Sequence, residues 1–183
     1  MDGKGRFGVL GVASPDPVMS ILGPVGLAAA AGTALMVDMG QSLRSPARRT
    51  LADIAADGPR LDELAPGRQG VAFISAGELA AEQAAELIVR LSRHWPAVVI
   101  RTGASGWDGP TVPLIPLYPG WLAPDHAGAA VWQSVPGGGT PPGPGPVLPN
   151  PGRATTIRVL AGGLPRRGRW VRAWLQAWEM PWA

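Results

Sequence analysis

The sequence predicts a three-layer α/β sandwich built on a mainly parallel sheet. Four unbroken apolar runs, near residues 7–13, 34–38, 71–75 and 97–101, have the length of strands buried on both faces. Helical segments separate them, and connections of that size make crossovers rather than hairpins. Helix-opening signals stand in two of the connections, at Thr50/Asp53 and Ser75/Glu78.

The elements follow in order. Phe7 to Ala13 is the first strand, SPDPVMS a loop, and the apolar stretch after it a short helix leading to the second strand, Ala34 to Asp38. This is a βαβ unit, and in such sheets ligands sit at the carboxyl ends of strands, here Ser14 to Ser20 and Asp38 to Gln41. Thr50 opens a helix running to Ala56, which Gly58-Pro59 stops, and Leu61 to Leu64 is at most a turn. Val71 to Ser75 is the third strand. Glu78 to His94 is the best helix, with Ser75 and Glu78 as its capping box; Ala80, Ala84, Leu87, Ile88, Leu91 and Trp95 share one face, and Glu86 and Arg90 pair along the other. Pro96 ends it, and Ala97 to Arg101 is the fourth strand.

Beyond Thr102 the pattern degrades. The prolines of TVPLIPLYPGWL predict an edge strand or a packed extended segment. Ala129 to Ser134 reads as a short strand, and 136–152, with seven prolines and six glycines, as a linker or long loop. Thr155 to Leu160 reads as a last strand and Arg169 to Glu179 as a last helix. The organisation is therefore an α/β domain over 1–135, the Pro/Gly-rich stretch 136–152, and a C-terminal strand and basic helix over 153–183 packed on the same domain.

Composition narrows the function. Zero cysteines exclude disulfides, thiolate zinc sites and cysteine nucleophiles. No run is long and apolar enough to span a bilayer, and MDGKGRF lacks the blocks of a secretory signal, so a cytoplasmic protein is expected. Charge is uneven: residues 1–150 hold ten Lys+Arg against twelve Asp+Glu, whereas 151–183 hold six Arg against Glu179 alone. A basic end of this kind calls for an anionic partner. His94 reads as a cation at a helix C-terminus, and neither it nor His126 has metal-ligand company. Asp108 and Asp125 read as solvated turn residues, and Gly103-Ala-Ser105-Gly106 falls short of a nucleophile elbow.

The strings GVLGVAS (8–14), GPVGLAAAAG (23–32) and ALMVDMG (34–40), with VAFISAG (71–77) and AELIVRLSRHWPAVVIRTG (85–103), resemble the deviant-Walker ATPases of the MinD/ParA type, including the CpaE/TadZ-like proteins of pilus assembly. The resemblance covers roughly residues 7–103 and implies a P-loop-NTPase-like fold. The departures are chemical. A phosphate loop offers glycine N–H groups and a lysine. SPDPVMS has neither glycine nor lysine, two prolines remove donors, and Asp16 brings negative charge. Lys4, the one lysine, precedes the strand, and Arg101 stands where the Walker B aspartate would.

The function so implied is a catalytically inactive MinD/ParA-like positioning, scaffolding or assembly protein acting through protein contacts, without a cofactor. The alternative is a nucleotide-binding switch whose ATP site is rebuilt from Ser14, Ser20 and Asp38. A small-molecule enzyme at the strand ends is a third class, but no constellation supports it. The expected interaction residues are Arg101, Arg166, Arg167, Trp170, Trp174 and Trp178. The three tryptophans stand at i, i+4 and i+8, so their stripe must be buried, against the parent domain, in a protein partner or second copy, or in a membrane interface. Nucleic acid comes last, since no reading module is present.

Overall fold

The computed structural model describes residues 8–40, 49–60, 63, 70–102, 107–121 and 128–182. Lys4, Leu61, Leu64, residues 103–106, Asp125 and His126 lie outside them. Seven strands form one parallel sheet: β1 (Val9–Ala13), β2 (Ala34–Asp38), β3 (Val71–Ser75), β4 (Val98–Arg101), β5 (Thr111–Leu117), β6 (Val131–Ser134) and β7 (Val147–Leu148). Their order is β3-β2-β4-β1-β5-β6-β7. The four runs named first in the sequence are thus adjacent parallel strands, and β4 lies between β1 and β2.

Two helices, α2 (Leu51–Asp57) and α3 (Ala81–Ser92), cover one face and bury Leu51, Ile54, Ala84, Ile88 and Leu91 with Val37, Val98 and Ile100. Thr50 caps α2 as expected: its hydroxyl accepts the Asp53 N–H at 3.1 Å, and the Asp53 carboxylate accepts the Thr50 N–H at 2.7 Å. The second box does not form. Ser75 remains the last residue of β3, Gly77 turns the chain at φ +69° against Thr50, and α3 begins at Ala81 with no side-chain cap. Sheet pairing claimed the serine before the helix could. The Glu86–Arg90 pair does form, at 2.6 Å.

The other face carries α1 (Met19–Ala31), followed from the chain's end by α4 (Gly152–Leu160), α5 (Arg169–Ala173) and α6 (Leu175–Trp178), all three touching α1. Helix α1 is apolar all round, as a helix packed on both sides must be. The predicted single helix over 169–179 is two short turns meeting at Trp174, whose backbone stays helical at φ −64°, ψ −19°. Thr155 to Leu160, read as a strand, is part of α4. Asn150 turns the chain by accepting the Gly152 N–H at 2.8 Å, and the Thr156 hydroxyl bonds the Gly152 carbonyl one turn back. Strand propensity in a β-branched run yields to such context.

Strand β5 is the main correction. It lies inside the sheet, between β1 and β6, despite Pro113 and Pro116. Backbone polar groups alternate sides along a strand. The Gly11 N–H bonds the Pro110 carbonyl, so even-numbered residues of β5 face β1 and odd ones face β6. Pro113 therefore faces the β6 side one residue before that ladder begins at Leu114–Val131, and Pro116 faces the β1 side beyond its last pair, Ala13–Pro113. Neither proline stands where a ladder N–H is required.

The Pro/Gly-rich stretch lies on the sheet and supplies β7. Trp132 Nε1 donates to the Pro144 carbonyl at 3.3 Å, and a side chain on Gly145 (φ +132°) would overlap the Ala130 carbonyl. Gln133, fully buried, accepts from Trp170 Nε1 at 2.8 Å and donates to the Ser134 and Pro149 carbonyls, tying the last strands to α5.

Candidate functional site: a filled crevice at the strand ends

Strands β1, β2 and β4 end together, and three of the sequence-predicted residues, Ser20, Asp38 and Arg101, meet there. Asp38 and Arg101 close β2 and β4 as register partners. Arg101 Nη1 reaches Asp38 Oδ1 at 3.1 Å and Oδ2 at 3.2 Å, and the Gly40 carbonyl at 3.3 Å. Asp38 also accepts the Gly40 N–H at 2.9 Å. Both charged residues are only 6% exposed. Arg101, expected as an interaction residue, is thus held by a carboxylate of its own chain.

The remaining Arg101 contact follows from a proline. Pro24 sits inside α1 and lacks the N–H that would bond the Ser20 carbonyl four residues back. Arg101 Nε takes that carbonyl at 3.1 Å. One side chain thus links β4, β2 and the first turn of α1.

The loop before α1 uses its own polar groups. Asp16 Oδ1 accepts the Met19 N–H at 2.8 Å, at the end of a 13-residue helix where the dipole favours an anion. Ser14 Oγ accepts the Asp16 N–H at 3.3 Å, and Ser20 Oγ donates to the Pro17 carbonyl at 2.8 Å, so both serines serve the turn.

Tyr118, at the end of β5, went unnoticed in the sequence although it is the chain's one tyrosine. Its hydroxyl donates to Asp16 Oδ2 at 2.7 Å, and its ring meets Trp121 edge-on at 6.1 Å. Burial, then the hydrogen bond to Asp16 and the nearby negative charge, push its pKa up to about 12. The folded value exceeds the unfolded one, so this contribution to stability is complete below pH ~10 and is lost as pH rises towards 12. Tyrosinate absorbance should therefore titrate near 12, and Asp16→Asn should lower the midpoint. A midpoint near 10 in the parent chain would show that the Asp16–Tyr118 bond is absent in solution.

The C-terminal candidates lie apart from the crevice. Trp170, Trp174 and Trp178 are buried against α1: a side chain on Gly26 would overlap the Trp174 and Trp170 rings, and Trp178 Nε1 donates to the Leu27 carbonyl at 3.2 Å. The stripe is buried, as expected, and it is the parent domain that covers it. Arg167 lies against Gly32, at the carbonyl end of α1, where a cation is favoured; Arg166 is exposed. Among the described residues no group of acidic and histidine side chains could hold a metal, and no helix is long and apolar enough to cross a membrane. No family model, curated protein or solved structure matches this chain.

Proposed function

We propose that the chain is a catalytically inactive MinD/ParA-like domain that serves as a positioning or assembly factor through protein contacts. One observation carries this reading: at the strand ends the described polar groups already serve one another. The Asp16 carboxylate occupies the helix terminus suited to a phosphate, and the Asp38–Arg101 pair closes the space beside it. Among the described residues nucleotide phosphates would meet a fixed negative charge and no lysine, so binding would require Asp16 to leave and the buried pair to separate. The adjacency of β1 and β4 supports the resemblance, because it brings the residue aligned with the Walker B aspartate to the mouth of the first loop.

Magnesium and ATP are the test. A ligand at 100 times its dissociation constant adds about 2.7 kcal/mol of stability. We expect no rise in melting temperature with ATP or GTP and no phosphate release. A rise in melting temperature, or steady turnover abolished by Asp38→Ala, would overturn the reading in favour of a nucleotide switch.

A further inference from the structure

We propose that the groove between the sheet's β7 edge and helix α5 docks an extended acidic segment of a partner protein. The groove encloses about 500 Å³, with Val147, Leu148 and Pro149 on the sheet side and Arg169, Arg172 and Gln176 on the helix side. It is remote from the strand-end crevice and does not depend on whether nucleotide binds there.

The backbone sets the mode of docking. The Trp132 N–H bonds the Pro146 carbonyl at 2.9 Å, so Pro146 and Leu148 turn their polar groups towards β6. Alternation then directs the Val147 N–H and C=O to the open edge. Gly145 leaves the extended backbone at φ +132° and Pro149 has no N–H, so the edge offers one residue, enough to set the register of a docked strand yet too little to template aggregation.

Side chains set the chemistry. A strand laid along β7 sends alternate side chains to the two faces of the sheet. On the Leu148 face stand Arg169 and Arg172, both exposed and neither ion-paired among the described residues. Gln176 continues their row at i+7. Carboxylates at i and i+2 of an extended chain lie ~6.6 Å apart. Helix residues one turn apart place their side chains about 5–6 Å apart. Each acid can therefore meet one guanidinium, in the bidentate geometry both groups favour. On the opposite face, half-exposed Val147 beside Trp132 suits an apolar residue. The occupant is an alternating acidic–apolar strand, in keeping with six Arg against one Glu over 151–183. A bilayer, being flat, cannot enter the groove to reach the Val147 backbone.

A labelled alternating Glu–Val peptide, titrated with the full chain and followed by fluorescence anisotropy, is the test. We expect saturable binding and none by the Lys–Val counterpart. Arg169→Gln with Arg172→Gln should weaken binding about tenfold or more. Val147→Pro removes the outward N–H without removing a donor to β6 and should weaken binding while the melting temperature holds. If that variant melts early, the arginine pair, which has no carboxylate partner to lose among the described residues, decides the matter. No saturable binding, equal binding of both peptides, affinity unchanged in the arginine variants, or binding only to phosphatidylglycerol vesicles would overturn the proposal.

Discussion

Arg101→Met should lower stability by about 3–5 kcal/mol, the loss typical when one member of a buried ion pair is removed. Methionine fills much of the arginine stem but returns none of its hydrogen bonds. The buried Asp38 carboxylate loses its guanidinium, and the Ser20 and Gly40 carbonyls lose their donor. The Ser20 carbonyl is the instructive one, because Pro24 prevents the helix from reclaiming it. Neutralising the other partner should restore much of the loss, so Asp38→Asn/Arg101→Met should be more stable than Arg101→Met alone, with a coupling of roughly 0.5–3 kcal/mol. Urea denaturation of the parent, both single variants and the double variant measures it. Additive effects would mean that the two side chains do not interact in solution.

Trp174→Ala should cost about 3–5 kcal/mol, as large aromatic truncations in cores do. The indole is fully buried between α1 and the C-terminal turns, edge-on to Trp170 at 6.1 Å. The cavity cannot collapse readily, since Gly26 and Gly23 present no side chains to fill it. Trp174→Phe should cost much less. It keeps an aromatic surface and removes an indole N–H that has no hydrogen-bond partner among the described residues. Deleting residues 166–183 extends the same logic: it bares the apolar outer face of α1, and the remaining chain should unfold or aggregate. A truncated chain that stayed soluble and cooperatively folded would show instead that the C-terminal segment is a detachable interaction element. Intrinsic fluorescence separates the outcomes, because four of the eight tryptophans lie beyond residue 166.

Local chemistry made the first half of the fold legible. The runs at Val9–Ala13, Ala34–Asp38 and Val98–Arg101 are inner strands, apolar up to their ends because both faces are covered, a signal that needs no knowledge of neighbours; Val71–Ser75, equally apolar, is the partly buried edge strand. Thr50 and Asp53 satisfy each other within one turn, so their box was readable too. Whatever depended on distant partners was not. Pro113 and Pro116 look fatal to a central strand until the registers of β1 and β6 show each facing a place without a ladder. Ser75 looks like a cap until β2 claims its backbone. Asp16 reads as an obstacle to phosphate; only the approach of Tyr118, 102 residues away, shows what holds it. The meeting of Asp38 and Arg101 across 63 residues is of the same kind. The sequence pattern could place each charge at a strand end, but β4 entering between β1 and β2 made them a pair.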